Sequence, residues 1–263
     1  MNIKSLTLTA TLIAAHLWAA GQDLAVWAGY TIHPVGSASF EEYFQSYNLQ
    51  NVNTIKTNYP DTWGSLDGLG WQFSYFSTST GFQTRFSTGV SYLNARREAI
   101  MGNGDGRQLH LHLTDWTIDL GLGPSTKYFY FNVNIGMNMR MAKLRSAFVF
   151  SDGSISYGMD HWQNGIYTAP RLTALMGATL GISISSNIQL VCRADWVPPR
   201  LIEDMDKSAF RDHGDFKSLE QPTFPRNVVT YVSDPYNTEN RAYNDFTGMR
   251  YTIAIQFNTK FDD

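Results

Sequence analysis

His110 and His112, in the run HLH, are the residues best placed to do chemistry. On an extended segment they share a face, close enough to hold a metal ion or supply a base. No third ligand follows from spacing, so ordinary surface histidines are expected, as at His161 and His213; His33 tops the first strand on the outward side. Asp204, Asp206, Asp212 and Asp215 gather in one stretch, but without the fixed order of oxygen ligands that calcium needs. Cys192 is the single cysteine, which excludes an intrachain disulfide. Arg85, Arg140, Arg193 and Arg250, with Asp119 and Asp195, could form ion pairs if the fold brings them together. No catalytic set, cofactor site or metal site is expected.

What must position these residues is a series of alternating segments. Strands are expected at Leu24 to Ile32, Leu69 to Tyr75, Phe82 to Tyr92, Leu109 to Leu122, Tyr128 to Arg140, Leu172 to Ile184, Ile188 to Trp196 and Tyr251 to Phe257. In the fourth, Leu109, Leu111 and Leu113 alternate first, then Trp116, Ile118, Leu120 and Leu122; the slip is read as a bulge near Thr114 and Asp115. The connections alternate too. Residues 33–67, 94–107, 141–170 and 198–246 make long ones, and 76–81, 123–127 and 185–187 short ones.

Each strand has an apolar face free of Asp, Glu, Lys and Arg, while the six charged residues named above fall on the opposite face among Gly, Asn and Ser. A base facing lipid at mid-membrane costs about 2–4 kcal/mol, so such a clean face suits strands that cross a bilayer. Tyr30, Trp71, Tyr92, Trp116, Trp196 and Tyr251 sort to the long-loop ends, and Tyr75, Phe82, Phe129 and Phe257 to the turn ends, as two interfacial girdles would. The 263 residues carry a net charge of −3, which gives no electrostatic reason to expect nucleic acid. The start, MNIKSLTLTATLIAAHLWAAGQ, reads as a signal peptide over residues 1–21, with the barrel domain at 22–263. Export is therefore expected.

With these faces, the sequence resembles the small eight-stranded outer-membrane barrels of Gram-negative bacteria, the OmpA, OmpW and OmpX type, over essentially the whole mature chain. The last strand, MRYTIAIQF, looks like their assembly signal, although NTKFDD follows it here. The resemblance implies an all-β, antiparallel up-and-down barrel in the outer membrane, with short periplasmic turns and long extracellular loops. Its partners would be outer-membrane lipids and the barrel-insertion machinery. An interior just wide enough for side chains makes Arg85, Asp119, Arg140, Arg193, Asp195 and Arg250 an internal polar network. Lipid-modifying barrels of the PagL class use a His and a Ser two residues apart; His110 and His112 hold that spacing without the serine, so a nucleophile beside its base is missing.

The expected function is thus non-enzymatic: surface binding, adhesion or envelope structure, an accessory subunit of a larger outer-membrane complex with another surface protein included. The alternatives are a lipid-modifying enzyme and a small channel. Trp63, Trp162, Phe216 and Tyr236 are read as exposed loop anchors for that binding. SASFEEYFQSYN should form a helix capped by Ser39 with Glu42, with a surface helix and a plug over the mouth both open. Deleting residues 200–240 should leave a folded barrel.

Overall fold

The computed structural model describes residues 23–156, 163–198, 215–216, 224–234, 237 and 239–260. The expected signal peptide lies outside them. In chain order the elements are β1 (Asp23–Val35), α1 (Ala38–Gln50), β2 (Ile55–Thr57), β3 (Gly64–Ser79), β4 (Phe82–Met101), β5 (Gly106–Pro124), β6 (Phe129–Val149), β7 (Ile155–Ser156), β8 (Gly165–Ser183), β9 (Ile188–Val197), α2 (Val228–Ser233) and β10 (Gly248–Lys260). Strands β4, β3, β1, β10, β9, β8, β6 and β5 pair antiparallel in that order, and β4 pairs with β5 to close a ring of eight. The short β2 and β7 add to β4 and β6 outside the ring.

The eight expected strands are all present, and the closing strand pairs with the first, Tyr251 against Ile32 through Phe257 against Val26. At the short-turn end, Thr80 and Gly81 take positive φ of 51° and 81° between the paired Ser79 and Phe82. That two-residue hairpin turn matches the right-handed twist of its strands. The outward side chains include Tyr30, Trp71, Ile118, Phe131, Ile135, Met137 and Ile253, all exposed. Inward ones include Ser74, Ser87, Asn132 and Gln256, all buried. Polar inside and apolar outside is the reverse of a soluble barrel, and only a hydrocarbon surround makes it favourable.

Several strands run well beyond their expected ends. β4 continues to Met101 and β6 to Val149, so the expected long loop at 94–107 shrinks to a turn at 102–105. A barrel strand needs only about 9–11 residues to cross a bilayer, so β4, β5, β6 and β8 stand out of it by a comparable length. Above the membrane the surroundings exchange: water lies outside and folded loop lies inside. Asn94, Arg96, His110, His112 and Lys143 then point out, while Leu93, Ala95, Leu109, Leu111, Leu113, Ala142 and Leu144 are buried within. This corrects the bulge at Thr114 and Asp115. Pairing through Leu113, Thr114 and Asp115 is continuous on both sides of β5; the apolar residues change face because the environment does, while the backbone keeps its phase.

Candidate functional site

The interior network is centred on Arg193, which β9 points into the ring. Its Nη2 donates to Asp119 at 2.9 Å, its Nε to Asp195 at 2.8 Å, and its Nη1 to the Gln72 amide oxygen at 2.8 Å. Arg250 Nη2 donates to Asp195 at 2.8 Å and its Nη1 reaches Asp115 at 3.3 Å. Asp115 in turn accepts from Arg140 Nε at 2.6 Å and Nη2 at 2.7 Å. Three guanidinium groups therefore alternate with three carboxylates along one buried chain. Burial of any of these charges without its partner would cost several kcal/mol, so mutual pairing is what permits all of them inside.

The structure assembles five of the six sequence-derived network residues in this way. Arg85 stands apart: it is held lower down by the Tyr130 hydroxyl and the Gln256 amide oxygen rather than by a carboxylate. Asp115 was missed because a bulge was read at its position. His33, at the outer end of β1 as expected, turns its side chain inward. It is fully buried, with Nε2 3.2 Å from Arg140 Nη2 and Nδ1 3.2 Å from the Met249 carbonyl oxygen. The signal was present, since Tyr30 and Ile32 on the lipid face put residue 33 inside.

A second layer closes the outer mouth. Phe40, Tyr43, Phe44 and Tyr47 of α1 pack with Tyr59, Trp63, Tyr167, Phe216, Phe224 and Phe246 into one buried cluster above the ion pairs. Phe40 is at its centre, with ring centroids 5.5 Å from Trp63, 5.3 Å from Phe216, 5.9 Å from Phe224 and 5.5 Å from Phe246. Burial pushes the Tyr43 and Tyr59 hydroxyls well above the usual phenol range, and both donate hydrogen bonds, to Gln163 and to the Arg107 carbonyl oxygen, each at 2.9 Å. The layers are tied together where Arg140 Nη1 donates to the Phe246 carbonyl oxygen at 3.0 Å. Of the two options for the loop helix, it is the plug.

This packing overturns the reading of Trp63 and Phe216 as exposed anchors. Both are buried, because large rings over an open mouth gain more by filling it than by facing water. Trp162, Tyr236, His161, His213, Asp204, Asp206 and Asp212 lie outside the described residues. The helix cap also moves: Ser37 accepts from the Phe40 amide at 3.3 Å, and Glu41 accepts from the Ser37 amide at 3.4 Å. Ser39, expected as the cap, instead binds Asp245 through both its amide and its hydroxyl at 3.0 Å, stitching the first loop to the last.

On the outer wall His110 and His112 do meet, with ring centroids 4.0 Å apart. Partial burial lowers the pKa of both from the usual histidine value, with Arg145 adding to each. No group of three side chains suited to a metal ion occurs among the described residues.

No protein-family model matches the chain, and no curated protein sequence matches it significantly. Searches of solved structures find small barrels. OprG from Pseudomonas aeruginosa matches at 9% identity over 92% of this chain and 97% of its own, with a TM-score of 0.45. The attachment invasion locus protein Ail of Yersinia pestis matches at 8% over 91% and 99%, with a TM-score of 0.42. The outer membrane protease OmpT of Escherichia coli matches at 7% over 91% and 96%, with a TM-score of 0.37. Likenesses this distant say nothing of function. On its own closed ring, lipid-facing apolar wall and filled polar interior, the chain is an eight-stranded transmembrane β-barrel of the outer-membrane kind.

Proposed function

We propose that the protein is a non-enzymatic surface barrel whose folded extracellular cap binds another envelope or surface protein. The reading is carried by the cap itself. Four strands continue above the membrane, and an aromatic core locks the first and last loops onto them, which gives the outer end a fixed shape. That rigidity suits recognition, because little ordering entropy remains to be lost on binding. The two cap helices pack together through Glu42, which accepts from Asn227 Nδ2 at 3.0 Å, and Ser46, whose hydroxyl accepts from the Val228 amide at 2.9 Å. Leu49, Val52, Val229 and Val232 are left exposed on and beside them. Exposed apolar groups on a rigid rim are frequent contact points.

Photo-cross-linking from position 229 on intact cells should give a discrete heavier species. It should disappear in a Leu49→Asp, Val232→Asp double variant that retains the heat-modifiable mobility of a folded barrel. Absence of any adduct in the otherwise unaltered chain would overturn the reading. The lipid-modifying alternative draws no support from the outer wall, where neither His110 nor His112 has a hydroxyl hydrogen-bond partner among the described residues. Mass spectra of lipid A should be unchanged by overexpression, and new acylation states would restore the enzyme.

A further inference from the structure

Above the lipid-facing wall, one side of the barrel is strongly basic. Cross-strand register places Asn94, His112 and Lys143 in one row across β4, β5 and β6, and Arg96, His110 and Arg145 in the next. Tyr92 of the outer girdle lies two residues below Asn94 and four below Arg96 on the same strand. At about 3.3 Å per residue, these rows begin about 7 Å along the strand above the girdle, the level at which lipid headgroups lie. On β4, Glu98 is the acidic side chain beside them, and it is paired to Arg96 at 2.9 Å. On the neighbouring strand β3 the row continues from Asn94 to Asp67, and beyond it the outward residues at comparable places on β3 and β1 are Ser65 and Pro34, so the basic character ends at β4. Basic residues that merely snorkel from a membrane surface would have no reason to keep to three adjacent strands.

We infer that this β4–β5–β6 face, formed by Arg96, His110, His112, Lys143 and Arg145, binds the phosphorylated headgroup of an outer-leaflet lipid whose chains lie along the apolar wall beneath it. The chemistry fits at both ends. Guanidinium and ammonium groups make charge-assisted hydrogen bonds to phosphate oxygens, the imidazoles between them can donate as well, and Trp116, Met139, Met141 and Leu172 are exposed directly below to meet acyl chains. A soluble acidic partner would have no use for that apolar continuation. The inference rests on the membrane orientation of the barrel and is independent of what the cap binds.

The test uses the full-length protein in mild detergent, with a bis-phosphorylated acylated disaccharide and its dephosphorylated counterpart as probes and native mass spectrometry as readout. The unaltered protein should retain the phosphorylated lipid preferentially. Each of Arg96→Gln, Lys143→Gln and Arg145→Gln should weaken retention about fivefold, the equivalent of about 1 kcal/mol per base near an anionic lipid surface, and heat-modifiable mobility should not change. Lys143→Arg should retain binding. A bound phosphate raises the histidine pKa values, so retention should strengthen as the pH falls from about 8 to about 5. That slope reflects both imidazoles among Asn94, Arg96 and Glu98 on one side and Lys143 and Arg145 on the other, and it should flatten in a His110→Gln, His112→Gln variant. Equal retention of the two lipids, or full retention by the triple Arg96, Lys143, Arg145 variant, would overturn the inference. Complete displacement by inorganic phosphate would overturn it too, by removing the lipid from the recognition.

Discussion

Arg193 is the counter-ion of two buried carboxylates at once, Asp119 and Asp195. Arg193→Met should therefore destabilise the barrel by about 3–5 kcal/mol, because Asp119 loses its guanidinium in the low-dielectric interior and Asp195 is left with Arg250 alone. The measurement is the temperature at which the compact gel band converts to the unfolded one, and an unchanged conversion would show that the pairs contribute nothing. Arg193→Lys should recover part of the loss, since one ammonium cannot reach Asp119, Asp195 and Gln72 in the directions the planar guanidinium does. At this scale the sequence was legible wherever a residue's face followed from its strand. Arg193, Asp195 and Arg250 were read correctly as inward. Which carboxylate meets which arginine was not legible, because Asp119 and Arg193 lie on strands that never pair, and they meet only across the barrel.

The strands outgrow the membrane, and their extensions explain most differences between expectation and structure. Reading apolar residues as the lipid face is valid only while lipid is outside. Beyond Trp116 the same rule assigned Leu109, Leu111 and Leu113 to the wrong side and called for a bulge. The helix α1 shows the complementary case: its aromatics Phe40, Tyr43, Phe44 and Tyr47 are an apolar face whose partners are residues 59 to 246, out of reach of any local reading. Phe40→Ala should cost the cap about 3–5 kcal/mol and leave the membrane ring intact. Limited proteolysis should then cut between residues 36 and 63, while heat-modifiable mobility is retained. Resistance equal to that of the unaltered protein would place the cap's stability elsewhere. The core also revises the deletion of residues 200–240, which would remove Phe216, Phe224 and Val228 from the cluster; the ring should survive it, but the cap should not.

Taken whole, the molecule is a pore filled twice, by ion pairs at membrane level and by aromatic rings at the outer mouth. Reconstituted in planar bilayers it should show no steady conductance. Phe40→Ala alone should not open it either, since the Arg140, Arg193 and Arg250 network still blocks the path; discrete conductance steps in the unaltered protein would require a mobile interior. The sequence by itself determined the number of ring strands, their lipid faces, the girdles and the inward direction of the charges. Those features are local, because contact with hydrocarbon constrains each strand separately at a period of two. Only the tertiary structure decided that Asp115 joins the ion pairs and His33 meets Arg140, that Trp63 and Phe216 are core, and that the basic residues of three strands align on one wall. These depend on strand order, register and loop closure, and each is a relation between residues far apart in the chain that no single segment encodes.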